Sequence, residues 1–124
     1  MTDLGIIIIS HSKGIASGIR DLLVEVAQDV AITSVGGTED GGIGTSFDQV
    51  QKIVDENPKN DLLAFFDLGS ARMNLEMVAD FTDKEITIMQ VPIVEGSYTA
   101  AALLQAGVDK EAILQQLSEL EIKK

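Results

Sequence analysis

Two rhythms of apolar residues alternate along this chain. Short continuous runs, apolar enough to be buried on both faces, are followed by segments in which apolar positions return at helical spacing. That alternation predicts a doubly wound α/β domain, a mainly parallel sheet of about four to five strands with helices on both faces, formed by residues 1–124 as one unit. The first strand is expected at Gly5 to Ser10. A helix from about Ser12 to Ala27 follows, its buried face carrying Ile15, Ile19, Leu22, Leu23 and Val26. A second strand near Ala31 to Val35 leads into the polar stretch GGTEDGGIGTS. Phe47, Val50, Ile53 and Val54 then mark a helix that Asn57-Pro58 ends.

The third strand is expected at Leu62 to Phe66, after which Asp67 to Gly69 turns into a helix with Ser70 as N-cap and Met73, Met77, Val78 and Phe81 on its buried side. A fourth strand, Glu85 to Met89, leads through Gln90 to Glu95 into a helix from about Ser97 to Gln105. Gly107 reads as its C-cap and Asp109 as the N-cap of a last helix with Ile113, Leu117 and Leu120 inward. Glu121 to Lys124 reads as a frayed polar end.

Composition narrows the class. With 124 residues, 45% of them hydrophobic, the chain can fill the core of one domain. The lack of cysteine removes disulfides, thiolate ligands and thiolate nucleophiles, and makes the cytoplasm the expected location. The apolar run in MTDLGIIIIS has no basic region before it, and no stretch approaches the ~20 apolar residues of a membrane span. A formal charge of −11 repels nucleic acid backbones and anionic membrane surfaces, so neither is an expected partner. Solubility accounts for this acidity as well as a docking face for a basic protein does.

In open α/β sheets, reacting groups gather beyond the carboxyl ends of the strands, where the winding reverses. With strand order 2-1-3-4, the first and third strands are neighbours about 4.8 Å apart. His11, the only histidine, then faces Asp67. A carboxylate on one nitrogen of neutral imidazole fixes the tautomer that exposes the other nitrogen's lone pair, and it stabilises the ring charge that builds when that lone pair attacks phosphorus. Helix N-termini near Ser12 and Ser70, together with the glycine-rich stretch, offer main-chain donors to a phosphate.

Each of these residues also has a plain reading. His11 can be a hydrogen-bonded turn residue and Asp67 a helix cap. The glycine-rich stretch can be a long turn, since it matches neither a Walker motif nor a dinucleotide fingerprint. Arg72 stands where it would balance a phosphate or simply face solvent, and Tyr98 is expected in the core or an interface. No metal-ligand spacing and no G-x-S-x-G elbow is present, so no metal is expected.

Taken together, the segments IIIISHSKGIASGI, GGTEDGGIGTS, FFDLGSARMN and VPIVEG resemble the phosphotransferase subunit of bacterial dihydroxyacetone kinase, the kind driven by phosphoenolpyruvate. That family is similar in fold to the mannose-type enzyme IIA domain of the sugar phosphotransferase system, which usually dimerises. The resemblance spans essentially the whole chain. It implies that His11 accepts a phosphoryl group from the histidine-containing phosphocarrier protein and passes it to ADP held on a nucleotide-binding kinase subunit. No cofactor is bound permanently; the covalent state is a phosphohistidine at His11.

Position by position, Asp67 matches the aspartate that pairs with the histidine, and Gly69 and Ser70 the turn beside it. Gly37, Thr38, Gly41, Gly42, Gly44, Thr45 and Ser46 fall on the glycine-rich loop, expected with Ser12 to shape a phosphate pocket or docking face. Some members continue into phosphocarrier-like and enzyme I-like domains. Without them, this chain is expected to meet its donor as a separate protein. Mannose-type relatives can exchange a strand between subunits, a role open to Gln90 to Glu95. A sugar-transport enzyme IIA component and a non-catalytic regulatory binding module are the alternative functions.

Overall fold

A computed structural model describes residues 3–124. Four strands, β1 (Leu4–Ser10), β2 (Ile32–Gly36), β3 (Asp61–Phe66) and β4 (Glu85–Met89), form one parallel sheet in the order β2-β1-β3-β4. The helices are α1 (Lys13–Val26), α2 (Phe47–Glu56), α3 (Ser70–Phe81), α4 (Ile93–Gln105) and α5 (Lys110–Ser118). Alternation along the strands divides the core. Ile6, Ile8, Leu63 and Phe65 pack with residues of α1, α4 and α5, while Ile7, Ile9, Leu62, Ala64 and Phe66 pack with residues of α2 and α3. Every residue of β1 is buried, as the unbroken apolar run requires of a strand covered on both faces. Full burial of each such isoleucine contributes about 1.5–3 kcal/mol.

Both caps expected around α5 are present. Asp109 accepts from Ala112 N–H at 2.9 Å, and Gly107 follows α4 in the left-handed region at φ 86°. Four expectations are corrected. The side of α3 that meets the sheet carries Ala71, Leu75 and Val78, whereas Met73 and Phe81 are 69% and 74% exposed and Met77 is exposed too. Both sets have helical spacing, so periodicity alone does not choose between them. The register inherited from the turn after β3 puts small Ala71 and branched Val78 inward.

On α1, Ala16, Ile19 and Leu23 are buried while Ile15 and Leu22 are exposed. α4 begins at Ile93 behind an N-cap at Pro92, so Gln90 to Glu95 is a short connection and a first helical turn rather than a strand, and the sheet has four strands. Finally, the polar end does not fray: Ile122 N–H donates to the Gln90 carbonyl at 2.9 Å.

Candidate functional site

The pairing register of β1 and β3, with Ile9 beside Phe66, brings Ser10 level with Asp67 at the carboxyl edge of the sheet. His11 comes next, in the crevice between the two directions of winding. Asp67 is held by four donors. Its Oδ2 accepts from Ser10 Oγ at 2.7 Å and His11 N–H at 2.9 Å. Its Oδ1 accepts from Leu68 N–H at 2.7 Å and from His11 Nδ1 at 2.9 Å. Burial works against the charged carboxylate. The bonds from the His11 main chain and ring, the Ser10 hydroxyl and Leu68 N–H outweigh it and hold the Asp67 pKa below its ordinary value.

An ionised Asp67 requires a proton on Nδ1, so the lone pair of neutral His11 lies on Nε2. Nε2 is 2.6 Å from Ser70 Oγ, whose hydroxyl therefore donates to it. The side chains of His11 and Asp67 are only 15% and 12% exposed, but Ser70 stands at the surface. Ser70 is thus not the N-cap of α3. That place falls to Gly69, which makes no side-chain cap bond, because the serine hydroxyl is spent on the histidine. Among the described residues nothing accepts from the N–H of Gly69 or Ser70, which leaves two main-chain donors at the start of α3. Ser12 caps α1, its hydroxyl accepting from Ile15 N–H at 3.4 Å.

The glycine-rich loop forms the opposite wall. Gly37 N–H donates to the Ser10 carbonyl at 3.2 Å and Gly44 N–H to the His11 carbonyl at 2.9 Å. Gly41 N–H turns back on the Thr38 carbonyl, and Gly42 N–H on the side chains of Thr38 and Asp40. Gly37, Gly41 and Gly44 have φ of 76°, 87° and 142°, a region where side chains are strained. Ser46 caps α2, and Thr45 Oγ1 accepts from Asn74 Nδ2 at 2.8 Å, which ties the loop to α3. The four glycine amides are therefore committed within the wall or to the main chain beside His11.

Arg72 lies outside the site in a loose surface pair with Glu76 at 3.8 Å, and Tyr98 is exposed on α4. Ser10, Asn74 and Lys124 belong to this neighbourhood without having been singled out. Ser10 alone had a readable signal, since the residue before His11 must lie level with Asp67 once the strand order is known.

The family model described as the PTS system fructose IIA component, EIIA-man, matches residues 5–114. The chain belongs to that family. Among EIIA-man relatives, the PTS-dependent dihydroxyacetone kinase phosphotransferase subunit DhaM of Lactococcus lactis is 56% identical over 97% of this chain and 98% of its own length. The PEP-dependent dihydroxyacetone kinase 1 phosphoryl donor subunit DhaM of Listeria innocua is 48% identical over 96% of each chain. The crystal structure of a protein of unknown function superposes with a TM-score of 0.84 at 27% identity, over 98% of both chains. The EIIA-man fold is therefore the one that the hydrophobic rhythm predicted, in the same strand order.

Proposed function

We propose that this chain is the phosphotransferase subunit of a phosphoenolpyruvate-dependent dihydroxyacetone kinase, with His11 carrying the phosphoryl group between two proteins. The names of the Lactococcus and Listeria relatives support the assignment to that kinase. The observation that carries the site is the pair of contacts on His11, with Nδ1 held by Asp67 and Nε2 turned toward Ser70 at the start of α3.

In this arrangement Nε2 is the attacking atom. As the Nε2–P bond forms, the donor's N–P bond breaks and its electron pair returns to the donor ring. The Nδ1 proton stays on His11, where its bond to Asp67 strengthens as the ring becomes cationic. Onward transfer reverses these roles, an oxygen of ADP attacking phosphorus while the Nε2–P electron pair returns to His11. Ser70 must release Nε2 before the attack. Its hydroxyl can then donate to a phosphoryl oxygen beside the N–H groups of Gly69 and Ser70.

Ile15, Ile43 and Leu68, exposed by 49%, 78% and 59%, stand on the three segments around this polar centre. Exposed apolar side chains around a reactive group fit a surface that protein partners cover in turn. The donor in this reading is the histidine-containing phosphocarrier protein and the acceptor is ADP on the nucleotide-binding subunit. No cofactor is held permanently, and the subunit works in the cytoplasm as a homodimer. Among the described residues no helix is long and apolar enough to cross a membrane.

Intact-mass measurement after incubation with phosphoenolpyruvate, enzyme I and the phosphocarrier tests the reading. One acid-labile phosphoryl adduct is expected, absent in His11→Ala. An adduct that forms equally on that variant sinks it. The family description also fits a sugar-transport acceptor, and formation of ATP on addition of the ADP-loaded subunit separates the two.

A further inference from the structure

Residues 121–124 fold back across the sheet edge that bears the site. Gln90 Nε2 donates to the Ile122 carbonyl at 3.3 Å, returning the bond that Ile122 N–H makes to the Gln90 carbonyl. This clips the segment to the connection after β4. Farther along, Lys124 Nζ donates to the Phe66 carbonyl, the group immediately before Asp67, and lies 4.3 Å from the centre of the Phe66 ring. Gly69 takes part as well. Its φ of −55° suits any residue, yet a Cβ there would come within 3.2 Å of the Lys124 main-chain carbonyl carbon. The glycine in DLGS leaves room for this segment rather than for an unusual turn.

We propose that Lys124 is a positioning residue of the phosphotransfer site, carried beneath Asp67 by the folded-back segment to offset the negative charge that a phosphoryl group adds beside that carboxylate. The proposal rests on the phosphocarrier reading of His11. A phosphoryl group on Nε2 brings about −1.5 to −2 charges onto a ring whose other nitrogen already faces a carboxylate. Asp67 has given its oxygens to four donors, so no further hydrogen bond from it can soften that repulsion.

The Lys124 ammonium can, because a carbonyl and a ring face already hold it in place, and a fixed charge costs little reorganisation when the new charge arrives. Burial lowers the Lys124 pKa while the Asp67 carboxylate opposes that shift, so the lysine already feels the charge it is placed to balance. Arg72 does not substitute for it, being paired with Glu76 on the outer surface.

The test compares His11 phosphorylation by the phosphorylated carrier protein in the wild type, Lys124→Met and Lys124→Arg. At saturating donor, Lys124→Met is expected to slow the reaction on the order of tenfold with the donor KM unchanged, and Lys124→Arg to restore most of the rate. Equal rates for Lys124→Met and the wild type overturn the proposal. So do equal losses in Met and Arg, which would mean that charge is not at work. A wild type that takes up no phosphate overturns the phosphocarrier reading itself, a failure distinct from either.

Discussion

The two walls that meet at His11 are held in opposite ways. On the β3 side a single carboxylate, Asp67, gathers a serine hydroxyl, two main-chain N–H groups and the histidine ring onto two oxygens. On the β2 side no single residue dominates. The glycine-rich loop is held by main-chain bonds spread from Gly37 to Gly44, by positive φ at three glycines, and by one side-chain tie from Asn74 to Thr45. The first wall places chemistry on one group, while the second places shape on a stretch of backbone. Substitutions on the two sides should therefore fail differently, the first in rate and the second in stability.

The largest effect is expected at Asp67. Asp67→Ala removes the acceptor that keeps the proton on Nδ1 and balances the cationic ring, and should slow His11 phosphorylation by about a hundredfold in an intact-mass time course. The fold should persist, because the side chain is in a crevice and not in either core cluster. An unchanged rate would reduce Asp67 to a helix cap.

Next come the glycines. Gly37→Ala combines a φ of 76° with a Cβ 2.7 Å from the Gly42 carbonyl oxygen, and should cost about 2–3 kcal/mol in urea unfolding. Gly41→Ala has a φ of 87° but nothing within 4 Å, so only backbone strain remains, about 1 kcal/mol. Equal losses would mean that the loop relaxes around the new side chain and is not a fixed wall.

The same contrast explains what could be read from sequence. The Asp67 wall was legible because it follows from topology: buried runs fix the strands, the strand order makes β1 and β3 neighbours, and the residues just beyond them must face each other. Even so, Ser70 was assigned to the helix cap, since nothing local tells a hydroxyl whether a backbone N–H or an imidazole will claim it. The glycine-rich wall was legible only as a position. Its bonds join main-chain groups, which every residue has, so the side chains record only where φ is positive.

The inward side of α3 was misjudged because Met73, Met77 and Phe81 share a face as regular as that of Ala71, Leu75 and Val78. The closing segment was misjudged because polar composition is read as exposure. There the long apolar stem of Lys124 lies against an aromatic ring.

A smaller effect is expected at the one side chain that joins the walls. Asn74→Ala leaves Thr45 Oγ1 without its donor and should cost about 1 kcal/mol, the usual net value of such a bond. Hydrogen exchange should then quicken in residues 38–45 while the amides next to Asp67 keep their protection. Quickening on both sides would show that the walls are one cooperative unit.

Acid should loosen both walls, but unequally. Asp40 in the loop is lowered from its ordinary pKa of 3.8 by the Thr38 hydroxyl and by Gly42 N–H. Asp67 ends lowered too, its burial overcome by its donors. A carboxyl group with a depressed pKa binds fewer protons folded than unfolded, so its stabilisation is complete above the unfolded value and is lost as pH falls through the folded one. Stability should therefore decline from about pH 4 downward. Asp40 is fully in water, where screening weakens its bonds, whereas Asp67 sits in a crevice at 12% side-chain exposure. The slope of unfolding free energy against pH below about pH 4 should flatten more in Asp67→Asn than in Asp40→Asn. An equal flattening would place as much charge-dependent stability in the loop as in the carboxylate, and the division of labour between the two walls would not stand.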